Sequence, residues 1–446
     1  MKTFSIIVLI LIISFPLPAV EKKECDYSEK PLSLNLTVND VGASFGNSRV
    51  THGLRINLRD ECVREVNGIN FTLWKPGRNP DAVLRGLSVG LYGPWADRIH
   101  YLAVGGVHVN AHSVLNGITL AGLANVSGGE MNAIALSGLA NVSDGDFNGI
   151  SITGVANVSG GKVNGIAVGG LANVSGGDIS GITMGGLANV TDGDCSGISV
   201  GGLANVADGN MSGISVGGLA NVTDGNMTGI SIGGLANVSD GDRNGISLGG
   251  LTNVTNGNMS GITVGGIANI CDGLLTGITL SGLNSTGTEG IRGISISGGS
   301  VVSERNIGYI TVGCIGSVSE LKYSDSAGPE YDFKYQGIRA ENAGLLTVHG
   351  TFIDIENRLV GVSVSGICTL SGKIRGANFS GIYSGMESLK GVSVSSVNHC
   401  RQYQQGIAIG IVNYSENLSG VQLGLLNIAL NNPGWARYLP FLNAHF

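Results

Sequence analysis

A sixteen-residue phrase recurs without a slip through the middle of this chain, and it restricts the possible folds more than any other feature. Residues 213–228 read Gly-Ile-Ser-Val-Gly-Gly-Leu-Ala-Asn-Val-Thr-Asp-Gly-Asn-Met-Thr, and the asparagine of that phrase falls at Asn125, Asn141, Asn157, Asn173, Asn189, Asn205, Asn221, Asn237, Asn253 and Asn269. A fixed short period means one structural unit stacked on copies of itself. Sixteen residues is too short for the common helical repeats. Several glycines per copy also argue against helix, at about 1 kcal/mol each relative to alanine. Within each copy the residues alternate as in Ile214, Ser215, Val216, which is the strand period. Asp-Gly-Asn or Asp-Gly-Asp between copies is a turn signal.

Two short strands and two turns per copy close one coil of a parallel β-solenoid. Coils stack at about 4.8 Å, so about twelve of them would extend roughly 58 Å. Equivalent residues then form ladders, and the ten asparagines are expected to stack into an amide ladder. No proline occurs between Pro94 and Pro329, as central strands require. The expected division is a leader at 1–19, an N-terminal cap with the first coils at 20–115, regular coils at 116–299, and degenerate repeats with insertion loops and a C-terminal cap at 300–446.

The alternative is an outer-membrane β-barrel, with strands of about ten residues joined by Asp-Gly turns. Phe446 at the end of the last apolar stretch suits it. The lipid-facing positions would then be largely Gly and Ser, and aromatic girdles are missing.

The leader reads from Met1-Lys2 and the apolar run at Ile6–Ile13, ending at the small residue Ala19, as a secretory signal peptide. No later segment is an apolar run long enough for a membrane helix. The net charge of −7 argues against a nucleic-acid partner. Seven cysteines without C-x-x-C spacing make a zinc site unexpected. Cys25 with Cys62 is the one disulfide pairing to consider. No cofactor or metal is expected.

Three rows within the repeat are candidates for function. Ile214, Val216 and their equivalents are expected to point inward. That leaves Thr119, Ala135, Ser151, Ala167, Thr183, Ser199, Ser215, Ser231, Ser247, Thr263, Thr279 and Ser295 as an outward row of small residues, able to pack on another copy, a cell-wall glycan or ice, unless small residues merely suit a tight coil. Asp144, Asp192, Asp208, Asp224, Asp240 and Asp272 share a turn register. Stacked carboxylates there repel unless a cation intervenes, but glycines interrupt the row, and solvated turns with local hydrogen bonds account for it. The recurrent Asn-Val-Ser/Thr matches a glycosylation acceptor, yet an asparagine held in an internal ladder cannot carry a glycan. In the N-terminal region Trp74 and Trp95 are expected to plug the end of the core, with sugar stacking as the other use. His349, His399 and His445 are isolated and read as structural or exposed.

The wording Gly-[Ile/Val]-x-apolar-x-Gly-Leu-x-Asn, with the ending Gly420-Val421-Gln422-Leu423-Gly424-Leu425-Leu426-Asn427-Ile428, Asn431-Asn432-Pro433 and Leu439-Pro440-Phe441-Leu442-Asn443-Ala444-His445-Phe446, resembles the surface repeat-containing proteins first described in Leptospira and found in other Gram-negative bacteria. The resemblance covers about residues 116–446. It implies an exported, surface-associated bacterial protein and supplies no catalytic residues. A structural, adhesive or assembly role without catalysis follows, with cell-envelope components, glycans or further copies as partners. The other function class is a carbohydrate-binding or carbohydrate-active β-helix. It needs clustered acids and bases on one face, and residues 116–285 offer only Lys162 and Arg243 as bases.

Overall fold

The computed structural model describes residues 25, 27, 31–314, 322–324, 328–330 and 338–446. The expected leader lies outside them, as does most of the insertion at 320–336. The chain is all-β, a parallel solenoid of about 22 turns with coils of about 16 residues. The barrel alternative is thereby overturned. Its meandering strands need antiparallel neighbours, whereas here each strand pairs in parallel with the equivalent strand one coil on. Cys195–Gly201 pairs with Met211–Gly217, Ile198 facing Ile214, and Ala188–Thr191 pairs with Ala204–Ala207, Asn189 facing Asn205.

Two compact units divide the chain, Met1–Gly225 and Asn226–Phe446. The first begins with an antiparallel hairpin, Ser33–Val38 with Val41–Gly46. Parallel coils of uneven length follow through Val50–Asn57, Glu65–Thr72, Val83–Gly90, Trp95–Gly105 and His108–Ala121. Cys25 and Cys62 form a disulfide, with Cα atoms 5.5 Å apart. Trp74 is 68% exposed and plugs nothing. The N-terminal interior is instead filled by Arg55 and Asp60, which form a buried ion pair. Arg55 also donates to Ser48 O at 3.2 Å, Asn70 Oδ1 at 2.8 Å and Asn47 Oδ1 at 3.0 Å.

The second unit continues the sixteen-residue coils and then changes to longer strands. Phe352–Ser365, Cys368–Ser380, Tyr383–Val394, Val397–Ile409 and Val412–Ala429 pair in parallel, and Gly361, Gly376, Gly391, Gly406 and Gly420 stay in register. The uneven spacing from Gly361 to Gly420 is taken up by shorter coils and by bulges such as that between Ile355 and Arg358, whereas Asn306 pairs with Asn342, 36 residues on, across the insertion. Tyr438–His445 returns antiparallel on Val412–Ala429 and ends the stack.

One glycine per coil sets the bend. Gly213 has φ +98, and a Cβ there would stand 2.2 Å from Gly197 O in the coil before. The chain turns a corner at this point with adjacent backbones in close approach, which favours glycine, although Tyr101, Ala133, Tyr309 and Leu345 hold the same register in other coils. The strand Met211–Gly217 is thereby folded into two short sides around a narrow interior.

Candidate functional site

The interior of the regular coils is polar, opposite to the parity expected from hydrophobicity. Ser215 is 3% exposed, whereas its neighbour Ile214 is 37% exposed. Ser199, Thr183, Ser247 and Thr263 are buried in the same way, and Ile182, Ile198, Ile246 and Ile262 face outward. The reason is volume. At Gly217 a Cβ would meet Ala220 O at 2.1 Å and Asn221 Oδ1 at 3.0 Å. At these positions the lumen is lined by Gly, Ser, Thr and Asn, larger side chains enter it at one position per coil, and the isoleucines of Ile214's row stack on one another outside. The small-residue row is therefore no docking face.

Each coil has room for one larger interior side chain. That position is filled by Met131, Phe147, Val163, Ile179, Cys195 and Met211 in the first unit, and by Met227, Arg243, Met259, Leu275 and Ile291 in the second, all buried.

The asparagines lie at the centre of this interior. In the first unit Asn157 Nδ2 donates to Asn173 Oδ1 at 2.7 Å, Asn173 to Asn189 at 2.7 Å, Asn189 to Asn205 at 2.8 Å and Asn205 to Asn221 at 2.8 Å. Asn125 donates to Asn141 at 2.8 Å, and Asn141 to Asn157 at 3.4 Å. In the second unit Asn237 donates to Asn253 at 3.0 Å, and Asn253 to Asn269 at 2.8 Å. The second amide hydrogen reaches backbone carbonyls, as in Asn205 to Val216 O at 2.8 Å, and Ser199 Oγ donates to Asn205 Oδ1 at 2.7 Å. The ladder has a direction: in each of these bonds the amide gives to the asparagine of the next coil. Its first acceptor, Asn125 Oδ1, has no partner, because the residue beneath it is Val109. All ten side chains are buried, so none offers an acceptor for a glycan.

A second amide ladder escaped the sequence reading. Asn398 Nδ2 donates to Asn413 Oδ1 at 2.8 Å and Asn413 to Asn427 at 2.7 Å. The signal was present in the wording Val397-Asn398, Val412-Asn413 and Leu426-Asn427, but the spacing of 15 and then 14 residues hid it.

The acidic register behaves as ordinary turns. Asp240 of that register accepts from Asn256 Nδ2 at 3.2 Å, and further coil-to-coil bonds fall two positions later in the turn. Asp178 Oδ1 accepts the Asp194 N–H at 3.1 Å, Asp194 Oδ1 that of Asn210 at 2.6 Å, and Asp242 Oδ1 that of Asn258 at 2.7 Å. Lys162 pairs with Asp178 at 2.9 Å, and its ammonium holds that carboxyl below the usual range. Asp144, Asp192, Asp208, Asp224, Asp240 and Asp272 stay solvent-exposed. Among the described residues no group of three or more His, Cys, Asp or Glu is placed to hold a metal ion.

The remaining chemically capable side chains are built into the fold. His349 Nδ1 accepts the Thr351 N–H at 3.0 Å and the Phe352 N–H at 3.1 Å, and its Nε2 lies 3.2 Å from Gly299 O. His399 receives the Tyr383 hydroxyl at 2.9 Å and packs edge-on against Tyr414. His445 contacts Asn432. Burial pushes the Cys271 thiol up to about 12 and the Cys400 thiol to about 11, which suppresses the thiolate at neutral pH.

Arg243 is the exception to this economy. It occupies the large interior position, 2% exposed, between Met227 and Met259 in adjacent coils. Its partners are neutral: Ser247 Oγ at 3.1 Å, Asn253 Oδ1 at 3.3 Å, Ser239 Oγ at 3.3 Å and Val254 O at 3.1 Å. Nε has none. Unlike Arg55 it has no carboxylate, and burial lowers its pKa to about 10.

Comparison with protein families, with curated proteins and with solved structures finds no match to this chain.

Proposed function

We propose that this is an exported bacterial surface protein with a structural or assembly role and no catalytic activity. One observation supports the reading most: in the regular coils most interior amide and hydroxyl groups are hydrogen-bonded to one another or to the backbone. What faces outward is the same few apolar side chains and Asp-Gly turns, coil after coil. Such a surface suits contact spread over many coils rather than chemistry at one point. Its partners are then cell-envelope components, glycans or further copies. The leader at 1–19 and the resemblance to surface repeat proteins support export.

Fractionation of expressing cells followed by protease treatment of intact cells tests this. The expected result is recovery in the envelope or extracellular fraction, with loss of the protein to external protease. Recovery in the cytosol, protected until lysis, would overturn the proposal.

A further inference from the structure

The outward rows of the regular coils are large, apolar and uninterrupted within each unit. In the first unit Ile182, Ile198 and Ile214 form one row and Leu187, Leu203 and Leu219 another, each residue 37–46% exposed. Stacked side chains cover one another along the row but leave their outer surfaces in water. Glycines flank them: Gly197, Gly202, Gly213 and Gly218 are all exposed, with the Ile row on the strands and the Leu row in the bends that follow.

We infer that this face is an interface with a second copy of the same chain, packed sheet on sheet through the Ile and Leu rows. The inference rests only on the assembly part of the role proposed above, not on export.

Area supports it. A side of about five residues at ~3.3 Å, repeated over about seven coils at ~4.8 Å, gives roughly 600 Å² per partner and about 1,200 Å² in all, enough for a specific interface. The largest apolar patch on a typical monomer is about 300–600 Å² and is often itself functional. An identical ladder shares the same rung spacing, so the ridges of one copy match the grooves of the other along the whole row.

The chemistry disfavours lipid as the occupant. Surfaces that lie on membranes carry Lys and Arg on the polar side, with Trp and Tyr at the boundary. Residues 116–285 contain no Trp or Tyr, and their only bases are Lys162 and Arg243, the second of which is buried. The exposed edge carries Asp192, Asp208 and Asp224 instead, a polar rim that stays solvated when the apolar rows meet.

The test is sedimentation velocity of the full mature chain at micromolar concentration without detergent. The wild type is expected to be dimeric or larger. The triple variant Ile182→Lys/Ile198→Lys/Ile214→Lys is expected to be monomeric, with self-association weakened by about 100-fold or more. Asp192→Ala/Asp208→Ala is expected to assemble as the wild type does. A monomeric wild type overturns the inference. So does a triple variant that still assembles, or a wild type that is monomeric alone but binds neutral phosphatidylcholine vesicles. Should circular dichroism show the triple variant unfolded, maleimide crosslinking of Ile198→Cys in a Cys314→Ser background decides. Crosslinks between chains at Ile198→Cys but not at Asp208→Cys are expected, and their absence at Ile198→Cys rejects the interface. Failure here leaves export untouched, and cytosolic recovery leaves the interface untouched.

Discussion

Asn205→Ala is expected to destabilise the surrounding coils by about 4 kcal/mol, more than any exposed substitution in the repeat. The side chain takes hydrogen bonds from Asn189 Nδ2 and Ser199 Oγ, and gives them to Asn221 Oδ1 and Val216 O. Alanine leaves all four groups without their partner in an interior too narrow to be refilled by its neighbours. Each such orphan costs about 1–3 kcal/mol, and small shifts recover part of that. A solenoid contacts itself only through adjacent coils, so the damage is local. Hydrogen exchange should show lost protection at residues 189–221, with distant coils unchanged. Asp208→Ala, three residues along in an exposed turn, should stay within about 0.5 kcal/mol of the wild type. Equal effects of the two substitutions would mean that the ladder does not hold the coil.

Arg243→Met is expected to act in the other direction, stabilising the protein by about 3 kcal/mol at neutral pH. Burial lowers this guanidinium well below its ordinary value, to about 10, and one pKa unit corresponds to about 1.4 kcal/mol. Methionine already fills the equivalent position in the coils on either side, at Met227 and Met259, so the replacement fits. The sign of the pH dependence follows from the lowered value. Below about pH 10 the group is charged in both states, and folding bears the whole cost of burying it. Above about pH 10 the folded protein releases the proton while the unfolded chain still keeps it, so stability rises with pH. The advantage of Arg243→Met in urea unfolding should therefore be largest at neutral pH and shrink above pH 10. A destabilised variant would mean that Arg243 is held by a counter-ion.

The period, the strands and the parallel stacking were legible because each depends on spacing alone. The unslipped sixteen-residue repeat admits one coil per copy, and Asp-Gly fixes where the coil turns. The inward face was not legible from alternation, which separates two faces without saying which is enclosed. Hydrophobicity assigned Ile214 to the interior, but the close approach at Gly217 leaves no volume there, and steric exclusion prevails over transfer free energy. One signal could have settled the parity. The variable column of Phe147, Val163, Ile179, Cys195 and Met211 shares the odd positions of Ser215 and Gly217 in the strand Met211–Gly217. A column that tolerates such varied shapes but excludes the usual surface residues marks an enclosed site. Arg243 falls in that column, and read only as one of two bases in the repeat its burial could not be seen. Trp74 shows the converse limit: an aromatic in an irregular region carries no periodicity from which to infer its face.

Maleimide labelling at two adjacent positions tests the inside-out coil most directly. Ile214→Cys and Ser215→Cys lie on opposite faces of one strand and are compared in a Cys314→Ser background, native and in urea. Rapid labelling of native Ile214→Cys, with Ser215→Cys protected until unfolding, is the result the polar interior predicts. Protection at Ile214→Cys together with free labelling at Ser215→Cys would contradict it.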